Sequence, residues 1–185
     1  DLETEDSLFC PTKDLVDHFT FFLPLANIER YKAAEENPID IRATARLAKL
    51  YDAILKNDSK WGVGDRRHGM NTFMTRVIFC LFAEDTGIFS DNLFSQTVND
   101  LGGRDGENLS NVLSTVFETM SLSHENRGSK PTWALAFPYV NGGLFDGESA
   151  SPAFNKSAVN YLLQAGRLNW QEINPDIFGS MAQSI

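Results

Sequence analysis

The sequence predicts an all-α fold: an irregular multi-helix bundle around a buried central helix, with one long aromatic loop or small hairpin. Three observations carry that expectation. First, residues 73–82, FMTRVIFCLF, hold only two polar side chains, Thr75 and Arg76. A helix apolar nearly all round belongs inside a domain, touched on several sides. Second, apolar residues recur at i, i+3, i+4 and i+7 in two further stretches, 38–56 and 108–120, which is the period of an amphipathic helix. Third, the strongest turn chemistry, proline and Asn-Gly-Gly among aromatics, is confined to residues 133–145.

Taken in order, residues 1–12 (DLETEDSLFCPT) are acidic and expected to be loosely held. Thr12 caps a first helix over 13–22 with Leu15, Val16, Phe19 and Phe22 inward, and 27–36 forms another short helix. Asn37-Pro38 is a start signal, asparagine as N-cap and proline at the first helical position, for a helix ending near Lys56. Its apolar face is Leu47, Leu50, Tyr51, Ile54 and Leu55. A loop over 57–64 carries Trp61.

The central helix follows over 68–85, about 18 residues and roughly 27 Å long. Gly87 is its left-handed C-cap, with Ile88 and Phe89 folding back on the last turn. A buried strand over 76–82 is the alternative; the length of the pattern and the capping glycine argue against it. Asp91 or Ser90 caps a short helix over 92–101 carrying Leu93, Phe94 and Val98. Residues 102–106, GGRDG, make a turn. The next helix, 108–120, bears one stripe: Leu109, Val112, Leu113, Val116, Phe117 and Met120. A polar loop over 121–130 leads to WALAFPYVNGGLF (133–145), an extended loop or hairpin. Ser157 caps a helix reaching Ala165, Trp170 and Ile173 form a short turn, and Asn174-Pro175 start a last helix. That makes about seven to nine helices with little or no sheet.

The bulk numbers narrow the function classes. With 185 residues the chain is read as one helical domain, large enough to bury about 70% of its unfolded surface without a staple. A net charge of −9 argues against a free-standing nucleic-acid binder, though a basic strip on an acidic surface remains compatible. Two cysteines, Cys10 and Cys80, form no disulfide framework and suit a reducing cytoplasm. No leader and no membrane-length apolar run is present, so no membrane is expected. The first and last residues read as cut ends, which points to a fragment of a longer protein.

Catalytic signatures are missing. There is no phosphate-binding glycine loop, no dinucleotide fingerprint, no Cys/His pair at zinc spacing and no nucleophile elbow. Glu84-Asp85 invite reading as an acid/base pair, but neighbours on a helix point about 100° apart. The other readings are an ion pair with Arg76 or capping of a distant group. The Asn141-Gly142-Gly143 turn offers backbone N–H groups to an anion, and equally is a plain turn between aromatic segments. One basic strip stands out. Arg42, Arg46 and Lys49, then Lys56 and Lys60, fall on one helical face, with Arg66-Arg67 in the next loop. Point charges and arginine forks along a ridge suit phosphates; a solvated outer helix face is the alternative.

Three motifs, FMTRVIFCLFAEDTGIF (73–89), FPYVNGGLF (137–145) and LNWQEINPDIFGSMAQSI (168–185), occur in this order and spacing. Together they resemble the helical spacer of the MmeI-like DNA methyltransferases, from about Ile41 onward. The resemblance implies a chain order of nuclease, helical connector, adenine-N6 methyltransferase and target-recognition domain. It also implies S-adenosylmethionine and Mg²⁺ as cofactors of the full-length parent, with none in this chain. The segments NPID (37–40) and NPDIF (174–178) lack the family's second proline and aromatic, so no catalytic residue carries over. The expected function is a spacer just N-terminal to the methyltransferase. It would position nuclease and methylase modules, with the duplex backbone touched, if anywhere, at Arg42, Arg46, Lys49, Arg66 and Arg67. The rival expectation is a protein-interaction module of a phage-defence complex that never meets DNA.

Overall fold

The computed structural model describes residues 37–173, apart from residues 91, 141 and 142 and the side chain of Asp65. The expected helices over 13–22, 27–36 and after Asn174 lie outside the described residues. Among the described residues there are five α-helices and no strand: α1 (Pro38–Asn57), α2 (Asp65–Asp85), α3 (Leu93–Leu101), α4 (Leu109–Ser121) and α5 (Lys156–Ala165). Short 3₁₀ turns sit at Ser59–Gly62, His124–Asn126, Ala134–Ala136 and Trp170–Glu172.

Helix α1 starts where Asn37-Pro38 predicts: the Asn37 side chain accepts a hydrogen bond from the Ile39 N–H. Its face of Ile39, Ala43, Leu47, Leu50 and Ile54 is buried, and it packs chiefly along α5. Helix α2 is the centre. Met70, Phe73, Met74, Val77, Ile78, Cys80, Leu81 and Ala83 are all buried, and α3, the first 3₁₀ turn and the Trp170–Glu172 turn pack on it. Phe73 meets Trp61, Phe117 and Phe154 edge-on, with ring centroids 6.0–6.4 Å apart. Such edge-to-face pairs add about 0.5–1.5 kcal/mol each beyond area burial.

The stop is as expected at Gly87, with φ +76°. Its N–H donates to the Glu84 carbonyl and that of Phe89 to the Ala83 carbonyl. Of the two residues expected to fold back, Phe89 does, packing on Phe79 and Phe137, whereas Ile88 is exposed.

Several local expectations are corrected. Helix α2 begins at Asp65, after Gly64 at φ +57°, so Arg66 and Arg67 lie in its first turn rather than in a loop. Helix α5 is capped by Asn155, whose side chain accepts the Ala158 N–H; Ser157 lies inside the helix. Of the two readings offered for 133–145, loop or hairpin, the described residues 133–140 and 143–145 take the first: they form a loop with a 3₁₀ turn, and the Val140 N–H donates to the carbonyl of Met120 at the end of α4.

Candidate functional site

The basic strip is built by α1 and the start of α2. Over a helix of about 30 Å, residues 42, 46, 49 and 56 stay on one side while 43, 47, 50 and 54 face the core. Arg42 and Lys49 are exposed, with the Arg42 Nε donating to the Pro38 carbonyl at 3.2 Å. Arg46 is half-buried and its guanidinium donates to the Gln164 carbonyl at the end of α5, so it also ties two helices. Lys49 and Lys56 line a cleft of about 220 Å³ with Asp52 and, across from them, Asn155, Ser157 and Tyr161. Lys60 lies past the end of α1, in the Ser59–Gly62 turn. Arg66 lies over the Trp61 ring at 5.4 Å, and Arg67 is exposed. Two arginines in the first turn of α2 oppose the helix dipole, so helix stability does not explain their place. Of the five candidates, Arg42, Arg46 and Lys49 therefore lie along one side of α1, and Arg66 and Arg67 lie in the first turn of α2.

The charge along the chain is uneven. Residues 1–36 hold nine acidic and three basic side chains, whereas 42–67 hold seven basic and three acidic. The −9 of the whole chain thus conceals a locally basic stretch of sequence.

The other candidates resolve into scaffolding. Both carboxylates of Glu84-Asp85 are taken by backbone N–H groups. Glu84 accepts the Ser95 N–H at 2.9 Å and the Ser95 hydroxyl at 2.6 Å, capping α3 from another helix. The Asp85 carboxylate accepts the Trp170 N–H at 2.7 Å. Capping of distant groups, one of the three readings of this pair, is therefore what the geometry supports. Arg76 does not meet these acids. Its Nε and two Nη atoms donate to the carbonyls of Leu144, Asp146 and Glu148 at 2.8–2.9 Å, between the rings of Phe117 and Phe145. Burial lowers its pKa and the nearby Asp146 carboxylate opposes that shift.

A second buried arginine, Arg127, donates to the carbonyls of Leu122 and Phe137. Burial pushes the Cys80 thiol well above its ordinary pKa, and the Glu84 carboxylate adds to the rise. His68, at the mouth of a cleft of about 260 Å³ beside Trp61 and Arg76, and His124 are both exposed. Of the possible anion turn, Asn141 and Gly142 lie outside the described residues and Gly143 has φ +81°. Among the described residues no group of three or more His, Cys, Asp or Glu could hold a metal ion.

The roles of Arg76 and Arg127 were not foreseen from sequence. The available signal was a lone arginine on an otherwise apolar helix, which must find acceptors when buried.

Comparison with known proteins divides the chain between residues 57 and 68. The family model of the MmeI N-terminal domain matches residues 1–57, and that of the MmeI helicase spacer domain matches 68–145. The chain is 36% identical to DNA methyltransferase A of Bacillus subtilis (strain 168) over its whole length, covering 21% of that relative. It is also similar to a solved structure of the Type IIL restriction–modification enzyme MmeI in complex with DNA, at 35% identity and a TM-score of 0.68. That match covers 80% of this chain and 19% of the other. The chain spans about a fifth of the length of each relative.

Proposed function

We propose that this chain, which belongs to the MmeI-like family, is the helical connector of an S-adenosylmethionine-dependent DNA adenine-N6 methyltransferase. It lies just N-terminal to the methyltransferase domain and positions that domain and a nuclease on DNA. The observation that carries the reading is the spacer match over 68–145, which covers α2, α3, α4 and the aromatic loop. A connector needs a body held by packing rather than by flexible links. The Phe73-centred aromatic cluster and the Arg76 and Arg127 ties supply one. The family matches favour this over a docking module of a phage-defence complex.

S-adenosylmethionine and Mg²⁺ belong, on this reading, to the neighbouring domains of the longer protein. Among the described residues no helix is long and apolar enough to cross a membrane, and a prokaryotic cytoplasm is the proposed location. Duplex DNA runs along Arg42, Arg46, Lys49, Arg66 and Arg67, which contact phosphates and leave sequence reading to other domains.

Two assays test this. The longer protein should transfer a methyl group from S-adenosylmethionine to adenine N6 in duplex DNA. The present chain should bind duplex DNA weakly, without sequence preference and less well as salt rises. An Arg42/Arg46/Lys49/Arg66/Arg67→Ala variant should lose that binding. Equal binding by the variant would refute the ridge, and absence of methyl transfer would refute the parent activity.

A further inference from the structure

We infer that the groove between α1 and α5 seats phosphates of one strand of duplex DNA, and that α5 supplies one wall of that seat. This deepens the DNA-contact part of the reading above and rests on it. The two helices run antiparallel and are clamped at both ends. Arg46 of α1 donates to the Gln164 carbonyl at the end of α5. At the other end the Asn57 amide donates to the Ala153 carbonyl at 3.0 Å, and the Ala153 N–H donates to the Asp58 carboxylate at 3.4 Å. Between the clamps lies the cleft of about 220 Å³, with Lys49 and Lys56 on its α1 wall and Ser157 and Tyr161 on its α5 wall.

The fold itself does not use these four side chains. Lys49 and Lys56 are exposed, and neither forms an ion pair with Asp52, the one acid of the lining. The Ser157 hydroxyl is not needed as a cap, because Asn155 caps α5. Tyr161 packs its ring on the core, and its hydroxyl, like that of Ser157, makes no hydrogen bond with the described residues. Two ammonium groups facing two hydroxyl donors suit phosphate oxygens. Lys49 and Lys56 are seven residues apart, about 10 Å along α1. One strand of a duplex places about three phosphates over that length of axis. The spacing therefore fits successive phosphates of a strand better than one small anion. Walls held by the two clamps lose little freedom when the strand enters. Asp52 opposes the polyanion and limits its affinity.

The test is duplex binding by the chain, read by fluorescence anisotropy over a salt series, with helical circular dichroism confirming that each variant folds. Lys56→Ala should lower the slope of log K against log salt by about 0.9. Tyr161→Phe combined with Ser157→Ala should weaken binding about threefold to tenfold and leave the slope unchanged, because neutral donors release no counterion. Asp52→Asn should tighten binding about twofold, whereas Glu125→Gln, outside the cleft, should not. In amide NMR spectra the duplex should shift residues 155–161, and inorganic phosphate at equal phosphate concentration should shift them far less. Parent-like binding by both the Lys56 variant and the hydroxyl variant would overturn the seat. Equal shifts from inorganic phosphate would mark a small-anion site and overturn it as well. The two levels of the reading fail separately. If Arg66→Ala with Arg67→Ala weakens binding and the cleft variants do not, the strip stands without the seat. If the cleft variants weaken binding and the arginine pair does not, the seat stands and the arginines of α2 leave the strip. A chain that binds no duplex at low salt overturns both, while methyl transfer by the longer protein still decides the connector.

Discussion

Arg76 offers the sharpest test of how the body is held. It is 2% exposed, yet no acid pairs with it through a salt bridge; three main-chain carbonyls of the 144–148 segment do the work. Hydrogen bonds to a charged group contribute about 1.5–3 kcal/mol each, and the two ring faces add about 0.5–1 kcal/mol each. Against this stands the cost of removing a guanidinium from water, several kcal/mol. In Arg76→Met that cost disappears, and the freed carbonyls partly rehydrate, because Asp146 and Glu148 are exposed. The expected net loss is therefore about 2–4 kcal/mol, well below the gross sum. With a urea slope near 2 kcal/mol/M, the unfolding midpoint should fall by about 1–2 M.

Arg76→Lys separates fork from charge. One ammonium cannot span three carbonyls, so lysine should behave like methionine and not like arginine. Hydrogen exchange should speed up at the amides of residues 143–150 before the rest of the body opens. A midpoint for Arg76→Met within about 0.5 kcal/mol of the parent would refute this reasoning. Full recovery by lysine would show that charge alone matters.

Other perturbations follow the same logic. Glu84→Ala strips the cap that α3 receives at Ser95 and should cost about 1–2 kcal/mol in a thermal melt. Gly106→Ala should cost about 2–4 kcal/mol in urea unfolding. Its φ is +81°, and a Cβ would lie 2.7 Å from Val159 Cγ2 and 2.8 Å from Phe154 Cβ. Cys80 should resist thiol reagents in the folded chain and react on unfolding. Its thiol stays protonated when folded but ionises near pH 8.5 when unfolded, so stability should fall as pH rises past about 8.5. Cys80→Ala should flatten that fall.

What was legible in the sequence is what local chemistry decides. Asn37-Pro38 and Gly87 announce a start and a stop because cap and left-handed turn are each specified within a few residues. The apolar stripes of α1 and α4 give the buried faces directly. Where two local choices compete, pattern alone could not choose. Ser157 reads as the cap of α5, but Asn155, two residues earlier and in extended backbone, takes that place. Gly64 at φ +57° lets α2 start early and takes in two arginines that read as loop.

The polar residues were least legible because their partners are remote. Arg76 meets carbonyls 68–72 residues away, and Asp85 meets an N–H 85 residues away. The type of residue shows that a partner is required; only the fold shows which.

The net charge of the chain is a poor guide to its DNA contact. At physiological salt the Debye length is about 8 Å, so a duplex along α1 senses the charges within that distance, not the total. Over 42–67 the sequence carries seven basic against three acidic side chains, and this stretch includes the five candidates. Each phosphate neutralised contributes a slope of about −0.9 to log K against log salt. Arg42 and Arg46 each give one N–H to a carbonyl and keep others for phosphate. The five-residue variant should therefore reduce the slope by about 4.5, about 0.9 for each residue. Replacing Arg104, exposed and outside the strip, should leave the slope unchanged. A reduction there as large as the average for one of the five would mean diffuse attraction by any surface cation, and the strip of α1 and α2 would then have no special part in holding DNA.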